Sequence, residues 1–163
     1  VSGGSAGHTL AMLYAYRDGP ASPVPVKLTF GAVGPSCFYP EDWGCFGLDK
    51  SPEGAAVLFS VMSGNPITPE MTGTPEYDQA VKSISAVAWI GENSPPTVCA
   101  YGAHDKVQAF PASKRLAAAL EAHNVPHEYI VFPHSGHGLQ NDNRLYALYM
   151  EKVYEYLDKY MGE

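Results

Sequence analysis

Apolar and polar positions along this chain change their period several times, and those changes mark out the elements. His8-Thr9-Leu10-Ala11-Met12-Leu13-Tyr14-Ala15-Tyr16 sets apolar residues near helical spacing and runs into Asp18-Gly19-Pro20, a stop signal, so a helix is expected there. Val26-Lys27-Leu28-Thr29-Phe30 alternates apolar with polar residues and predicts a strand, with Gly31 to Pro40 as the loop leaving it. Two further strands are expected at Thr97-Val98-Cys99-Ala100-Tyr101 and His127-Glu128-Tyr129-Ile130-Val131-Phe132, separated by an Ala- and Leu-rich helix from Pro111 to His123. The closing helix is expected from about Asn143 to Met161, because Leu145, Tyr149, Val153, Tyr156 and Tyr160 recur at three- and four-residue spacing. Strands alternating with helices of this length predict βαβ units, an α/β class and a mostly parallel sheet with flanking helices.

Residues 41–96 break that alternation. Pro, Gly and Thr punctuate short helices here, one beginning at Ser51-Pro52-Glu53 and ending near Gly64, the next beginning at Thr74-Pro75-Glu76. Each start has a capping residue, a proline at the first helical position and an acid in the first turn. An excursion of this length exceeds a simple crossover, so an inserted cap or lid is expected over 41–96 within a single domain of residues 1–163.

Composition narrows the function classes. Hydrophobic residues make up 45% and charged residues 17%, as in a globular chain rather than a disordered one. A net charge of −7 without Lys/Arg runs argues against a nucleic-acid or anionic-membrane partner. No apolar run approaches the roughly 18 residues of a spanning helix. Cys37, Cys45 and Cys99 are an odd set with no paired spacing; Cys37 and Cys45 could bridge in an oxidising compartment, or all three could be buried or loop thiols. The chain starts at Val1 inside what reads as a structural element, so the native amino terminus and any targeting signal are expected to be missing. Localisation, cytoplasmic or secreted, stays open.

Three short segments carry candidate chemistry. Gly3-Gly4-Ser5-Ala6-Gly7 matches G-x-S-x-G, where small residues let a serine sit on a strained strand-to-helix turn with its hydroxyl clear of the backbone. The same five residues could form a flexible linker or a phosphate-binding turn. Asp105, in Tyr101-Gly102-Ala103-His104-Asp105, follows a strand directly, where an open α/β sheet presents functional groups; an ordinary turn aspartate is the alternative. His137, in Pro133-His134-Ser135-Gly136-His137-Gly138, stands between two glycines just past another strand. It could be a solvated loop residue, or His134 and His137 could be metal ligands, although their loop lacks helical register and a further ligand cluster.

The combination favours a catalytic triad. Serine, acid and histidine occur in the chain order of α/β-hydrolases, each at a strand's carboxyl end, so all three can converge on one edge of the sheet. The span from Ser5 to Asp105 has room for a strand and a cap, and that from Asp105 to His137 for one helix and one strand. Ser5-Ala6-Gly7-His8-Thr9-Leu10-Ala11, Tyr101-Gly102-Ala103-His104-Asp105 and Ser135-Gly136-His137-Gly138 together resemble the α/β-hydrolase esterase/lipase family, from the nucleophile elbow onward. Within it they resemble the branch with Gly-x-Ser-Ala-Gly-Gly-His elbows, which includes small bacterial carboxylesterases. His8 departs from that branch, which usually has a second glycine there.

The resemblance implies a serine hydrolase of small carboxylic esters, working through an acyl-enzyme on Ser5. His137 would be the general base and Asp105 its orienting acid. The backbone N–H of Ala6 would be one oxyanion donor; the second, usually on an early H-G-G loop, is not found in this sequence. No cofactor and no metal are called for. The early strands of the family are also missing from the sequence, so an open sheet edge is expected, completed by a homo-oligomer or a complementing amino-terminal segment. Two rival readings are a prolyl-oligopeptidase-type serine peptidase, which usually lacks so long an insertion before the acid, and a truncated or inactive hydrolase-fold fragment acting only as a binding module.

Overall fold

A computed structural model describes residues 1–162. Its centre is a four-stranded parallel sheet whose spatial order is that of the chain: β1 (Ser2–Gly4), β2 (Thr29–Ala32), β3 (Thr97–Gly102) and β4 (His127–Phe132). Helices α1 (Ala6–Leu13), α2 (Pro52–Ser63), α3 (Pro75–Val81), α4 (Phe110–Ala122) and α5 (Asn143–Met161) follow or connect them. The mostly parallel α/β architecture expected from the alternation of patterns is the one observed.

β3 is buried at all six positions, because both of its faces are covered. Its side chains alternate between two cores. Cys99 and Tyr101 join Met12 and Leu13 of α1 and Leu116 and Leu120 of α4 on one face. Val98 and Ala100 meet Tyr149, Val153 and Tyr156 of α5 on the other. The stripe at Tyr149, Val153 and Tyr156 on the last helix is thus a packing face. Burying a leucine such as Leu116, wholly inaccessible here, stabilises the fold by about 1.5–3 kcal/mol.

Two elements depart from the sequence expectation by more than a residue. The strand expected at Val26–Phe30 lies at Thr29–Ala32, because pairing with β3 starts at Thr29↔Thr97 and pairing with β1 at Ser2↔Phe30. Val26 packs into the α1–α4 core from outside the sheet. The first helix also does not run on as α-helix to its stop signal: after Leu13 it becomes a π turn over Tyr14–Asp18 and a 3-10 turn over Gly19–Ala21. Pro20, which has no N–H to give the ladder, sits in that last turn.

Between β2 and β3 the chain builds a separate apolar cluster from Phe38, Trp43, Phe59, Tyr77 and Val81. Trp43 stacks on Phe59 at 5.8 Å and meets the edge of Tyr77 at 5.5 Å, while Tyr77 donates from its hydroxyl to the Phe38 carbonyl at 2.8 Å. α2 starts at a Ser51 cap that accepts from Gly54 N–H and ends on Gly64 at φ 72°. This segment is tied to α4 by Arg115, which pairs with the nearly inaccessible carboxylate of Asp42 and donates to the Cys37 sulfur at 3.4 Å. Cys37, Cys45 and Cys99 are all free thiols, and burial pushes Cys99 up to about 12. Among the described residues, no helix is long and apolar enough to cross a membrane.

Candidate active site

β1 ends at Gly4 and α1 begins at Ala6, leaving Ser5 alone to make the turn. Its backbone pays no attention to helix or strand preference: φ is 52° and ψ −125°, a sparsely populated region for a residue with a side chain. Surrounding structure holds it there. Ser5 N–H donates to the Ala32 carbonyl at 2.9 Å, and the Ser5 carbonyl accepts from His8 N–H at 2.9 Å and Thr9 N–H at 3.1 Å. A Cβ on Gly3 would overlap the backbone of Gly7, so strand and helix can close this tightly only with glycine there.

Asp105 lies just past β3. Its side chain is wholly inaccessible and accepts three hydrogen bonds: Val107 N–H at 2.7 Å and Gln108 N–H at 3.0 Å on Oδ1, and His137 on Oδ2. His137 lies past β4. Its Nδ1 is 2.8 Å from Asp105 Oδ2, which can only accept when ionised, so Nδ1 carries the proton and donates. That leaves the Nε2 lone pair facing outward, 2.9 Å from Ser5 Oγ and placed to accept from the serine hydroxyl. The three residues singled out in the sequence therefore meet as one hydrogen-bonded chain at the carboxyl ends of three strands. Ala6 opens α1, where the first N–H groups have no partner within the helix. His134, read alongside His137 as a possible metal ligand, instead points its Nδ1 at Asp142 Oδ1, 2.8 Å away.

Beside Ser5 lies an apolar pocket of about 360 Å³. Leu10 and Leu13 of α1, Phe38, Met62 of α2, Ile84 and Val107 line it. A second, more polar cleft of about 500 Å³ is lined by Asp105 together with Glu41, Cys45 and Lys106.

Three residues around the site had no role assigned from the sequence. His8 is fully buried: Gly34 N–H donates to its Nδ1 at 3.2 Å, and its ring lies 5.9 Å from that of Tyr101. Gly31 and Gly34 make room for it, since a Cβ at either position would overlap His8. The bulk of His8 at the helix start is thus accommodated across the sheet. Tyr101 and Thr9 finish the same junction, donating to the carbonyls of Gly34 at 2.9 Å and Pro35 at 2.8 Å. The run of small residues in Gly31-Ala32-Val33-Gly34 was the one available hint.

Comparison with known proteins gives a family and a fold. Residues 54–163 match the prolyl oligopeptidase family. No curated protein is significantly similar in sequence. Among solved structures, a thermophilic esterase from the Planctomycetes species Thermogutta terrifontis superposes with a TM-score of 0.66 at 21% identity, over 97% of this chain and 53% of the esterase. The acetyl ester-xyloside bifunctional hydrolase of Caldicellulosiruptor lactoaceticus gives 0.62 at 23% identity, over 99% of this chain and 56% of that one. Dipeptidyl peptidase 4 of Porphyromonas gingivalis gives 0.62 at 16% identity, over 96% of this chain and 19% of that one. The chain thus spans about half the length of the two ester hydrolases and a fifth of the peptidase. At these identities the likeness is one of fold.

Proposed function

Since this chain belongs to the prolyl oligopeptidase family of α/β-hydrolase-fold proteins, we propose that it is a serine hydrolase cleaving small carboxylic esters through an acyl-enzyme on Ser5. The observation that carries this reading is the pair of hydrogen bonds through His137, 2.8 Å to Asp105 and 2.9 Å to Ser5.

In this mechanism Ser5 Oγ attacks the ester carbonyl while His137 Nε2 takes its proton. Negative charge gathers on the carbonyl oxygen, which the Ala6 N–H and the amino end of α1 stabilise. The tetrahedral intermediate collapses, His137 returns the proton to the departing alcohol, and the acyl group stays on Ser5. A water molecule then repeats the sequence and releases the acid. Asp105 keeps His137 in the tautomer that offers Nε2 to the serine and stabilises the imidazolium formed at each step.

Residues 41–96 act as the cap that shapes the substrate site: Met62 and Ile84 come from it to the apolar pocket beside Ser5. A pocket of about 360 Å³ with apolar walls suits a short acyl or alcohol group. Thermogutta terrifontis esterase 2, which shares the fold, has been obtained with butyrate and with propionate bound. The family match favours a second reading, a peptidase that places a proline ring in the same pocket.

The test is labelling with a fluorophosphonate, with mass spectrometry locating the adduct and Ser5→Ala as control. Stoichiometric modification of Ser5, lost in the alanine variant, is expected; an adduct that persists in Ser5→Ala would remove Ser5 from the mechanism. A short nitrophenyl ester and a proline-containing arylamide then separate the readings. Faster turnover of the ester is expected, and preference for the amide would favour the peptidase.

A further inference from the structure

The loop between β4 and α5, residues 133–142, carries His137, and its two arms meet on one carboxylate. Asp142 is the residue before α5, the usual place for a helix cap, yet its side chain makes no hydrogen bond to the first N–H groups of that helix. Its oxygens are turned toward the loop instead. Oδ1 lies 2.8 Å from His134 Nδ1, while Oδ2 accepts from the His134 backbone N–H at 3.1 Å and from Ser135 Oγ at 2.6 Å. The returning arm is bound into the same knot. Asn141 N–H donates to Ser135 Oγ at 3.0 Å, and the Asn141 side chain donates to the His134 carbonyl at 2.7 Å.

This knot is well built for a surface loop. The Asp142 side chain is only 6% exposed and Ser135 is fully buried. Desolvation works to raise the Asp142 carboxyl, but the bonds from Ser135 and His134 outweigh it and hold the group below its ordinary range. The loop is also pinned to the acid's own loop. His104 N–H donates to the Ser135 carbonyl at 3.0 Å, and the loop crosses β3 so closely that a Cβ on Gly102 would overlap the Ser135 and Gly136 carbonyls. Beyond His137, Leu139 adopts a φ of 53° and buries its side chain in the α5 core. His137 is therefore held between a knot at Ser135–Asp142 and an anchor at Leu139.

We propose that Asp142 is a positioning residue for the hydrolytic reaction, closing the loop so that the His137 ring meets Asp105 and Ser5 together. The inference rests on the reading of His137 as general base. Asp142 touches neither substrate nor reacting atoms. Its effect comes through the ring's placement, where an error of about 1 Å costs on the order of a hundredfold in rate.

The experiment compares the native protein with Asp142→Ala and Asp142→Asn, following both the rate and the final stoichiometry of fluorophosphonate labelling at Ser5, and kcat and KM for a short ester. Asp142→Ala should label to full stoichiometry but about ten- to a hundredfold more slowly, with kcat falling in parallel and KM within about twofold. KM should hold because no residue of the loop lines the apolar pocket. Asp142→Asn keeps one acceptor oxygen and should fall in between. A merely structural role would lower the final stoichiometry and leave the rate constant of the folded fraction alone, and that outcome would overturn the proposal, as would native rates in both variants. Should Asp142→Ala fail to fold, Asp142→Asn and Ser135→Ala carry the same expectation of slow labelling at full stoichiometry. A native protein that does not label at Ser5 would overturn the hydrolase reading itself, a result distinct from native labelling with indifferent Asp142 variants.

Discussion

His8 makes the stability of this protein depend on acid in a way that can be worked from the structure. Its Nδ1 accepts a hydrogen bond from Gly34 N–H, so the folded state needs the neutral ring; a proton on Nδ1 would set donor against donor. Burial pushes His8 from the ordinary 6.5 down to about 4, partly opposed by the Ala32 carbonyl. In the unfolded chain the ring takes up its proton near its ordinary value. As pH falls below 6.5 the unfolded state therefore binds a proton that the folded state refuses. The stability linked to His8 is whole above that value, drains away as pH falls, and is gone near pH 4. At about 1.4 kcal/mol for each tenfold change in proton concentration, the loss comes to about 3 kcal/mol. Against a total of about 5–15 kcal/mol for a native domain, one side chain would account for a large share of acid sensitivity.

His8→Asn isolates this effect. The Asn Oδ1 can take the place of Nδ1 and accept from Gly34, but it does not titrate. At about pH 7 the variant should be less stable by about 1–2 kcal/mol, because the rest of the ring leaves a cavity. Between about pH 7 and pH 4.5, urea unfolding should show the native protein losing about 2–3 kcal/mol more than the variant. Parallel losses in the two proteins would refute the reasoning and mean that His8 finds a proton acceptor when charged.

Other substitutions test other parts of the argument. Ser5→Ala and His137→Ala should each lower kcat for a short ester by about 10⁵–10⁶, and Asp105→Asn by about 10⁴, read by steady-state kinetics with folding checked by circular dichroism. Met62→Trp enlarges a side chain that lines the pocket and should raise KM for longer acyl chains more than for acetyl, as an acyl-length series would show. Arg115→Leu leaves the buried Asp42 carboxylate unpaired and should cost about 3 kcal/mol in urea unfolding, whereas changing both residues to apolar ones should recover part of it. Leu116→Ala should cost about 2–5 kcal/mol in the same assay.

Much of the fold was legible because local pattern and tertiary burial agree. The bounds expected for β4 and α5 are the observed ones, since alternation and a three-to-four residue stripe each report directly which side chains face the core. Ser5, Asp105 and His137 could be picked out because each follows a strand in a parallel sheet, where chain order alone puts loops on a common edge. β2 lies between the strand leading to Ser5 and those leading to Asp105 and His137, so the shared edge puts the three loops on one side of the sheet and long-range contacts complete their meeting.

Other features depend on residues distant in sequence. β2 lies farther along than its alternating pattern suggested, because a strand begins where a neighbour offers hydrogen bonds, here at Thr29 against β3. His8 looked like a misfit at the helix start; only the sheet, by bringing Gly31 and Gly34 against it, shows where its ring goes. Asp142 carries the local signature of a helix cap, and nothing near it in the chain distinguishes a carboxylate facing its helix from one gripping the preceding loop. Periodicity records which face of an element is dry, whereas side-chain direction at a turn is decided by which long-range donors arrive there. The sequence by itself thus determined the alternation of strands and helices, a mostly parallel sheet and a common edge for the three candidate residues; the tertiary structure decided the strand order, where β2 begins and how that edge is held together, because each of these depends on partners distant in the chain.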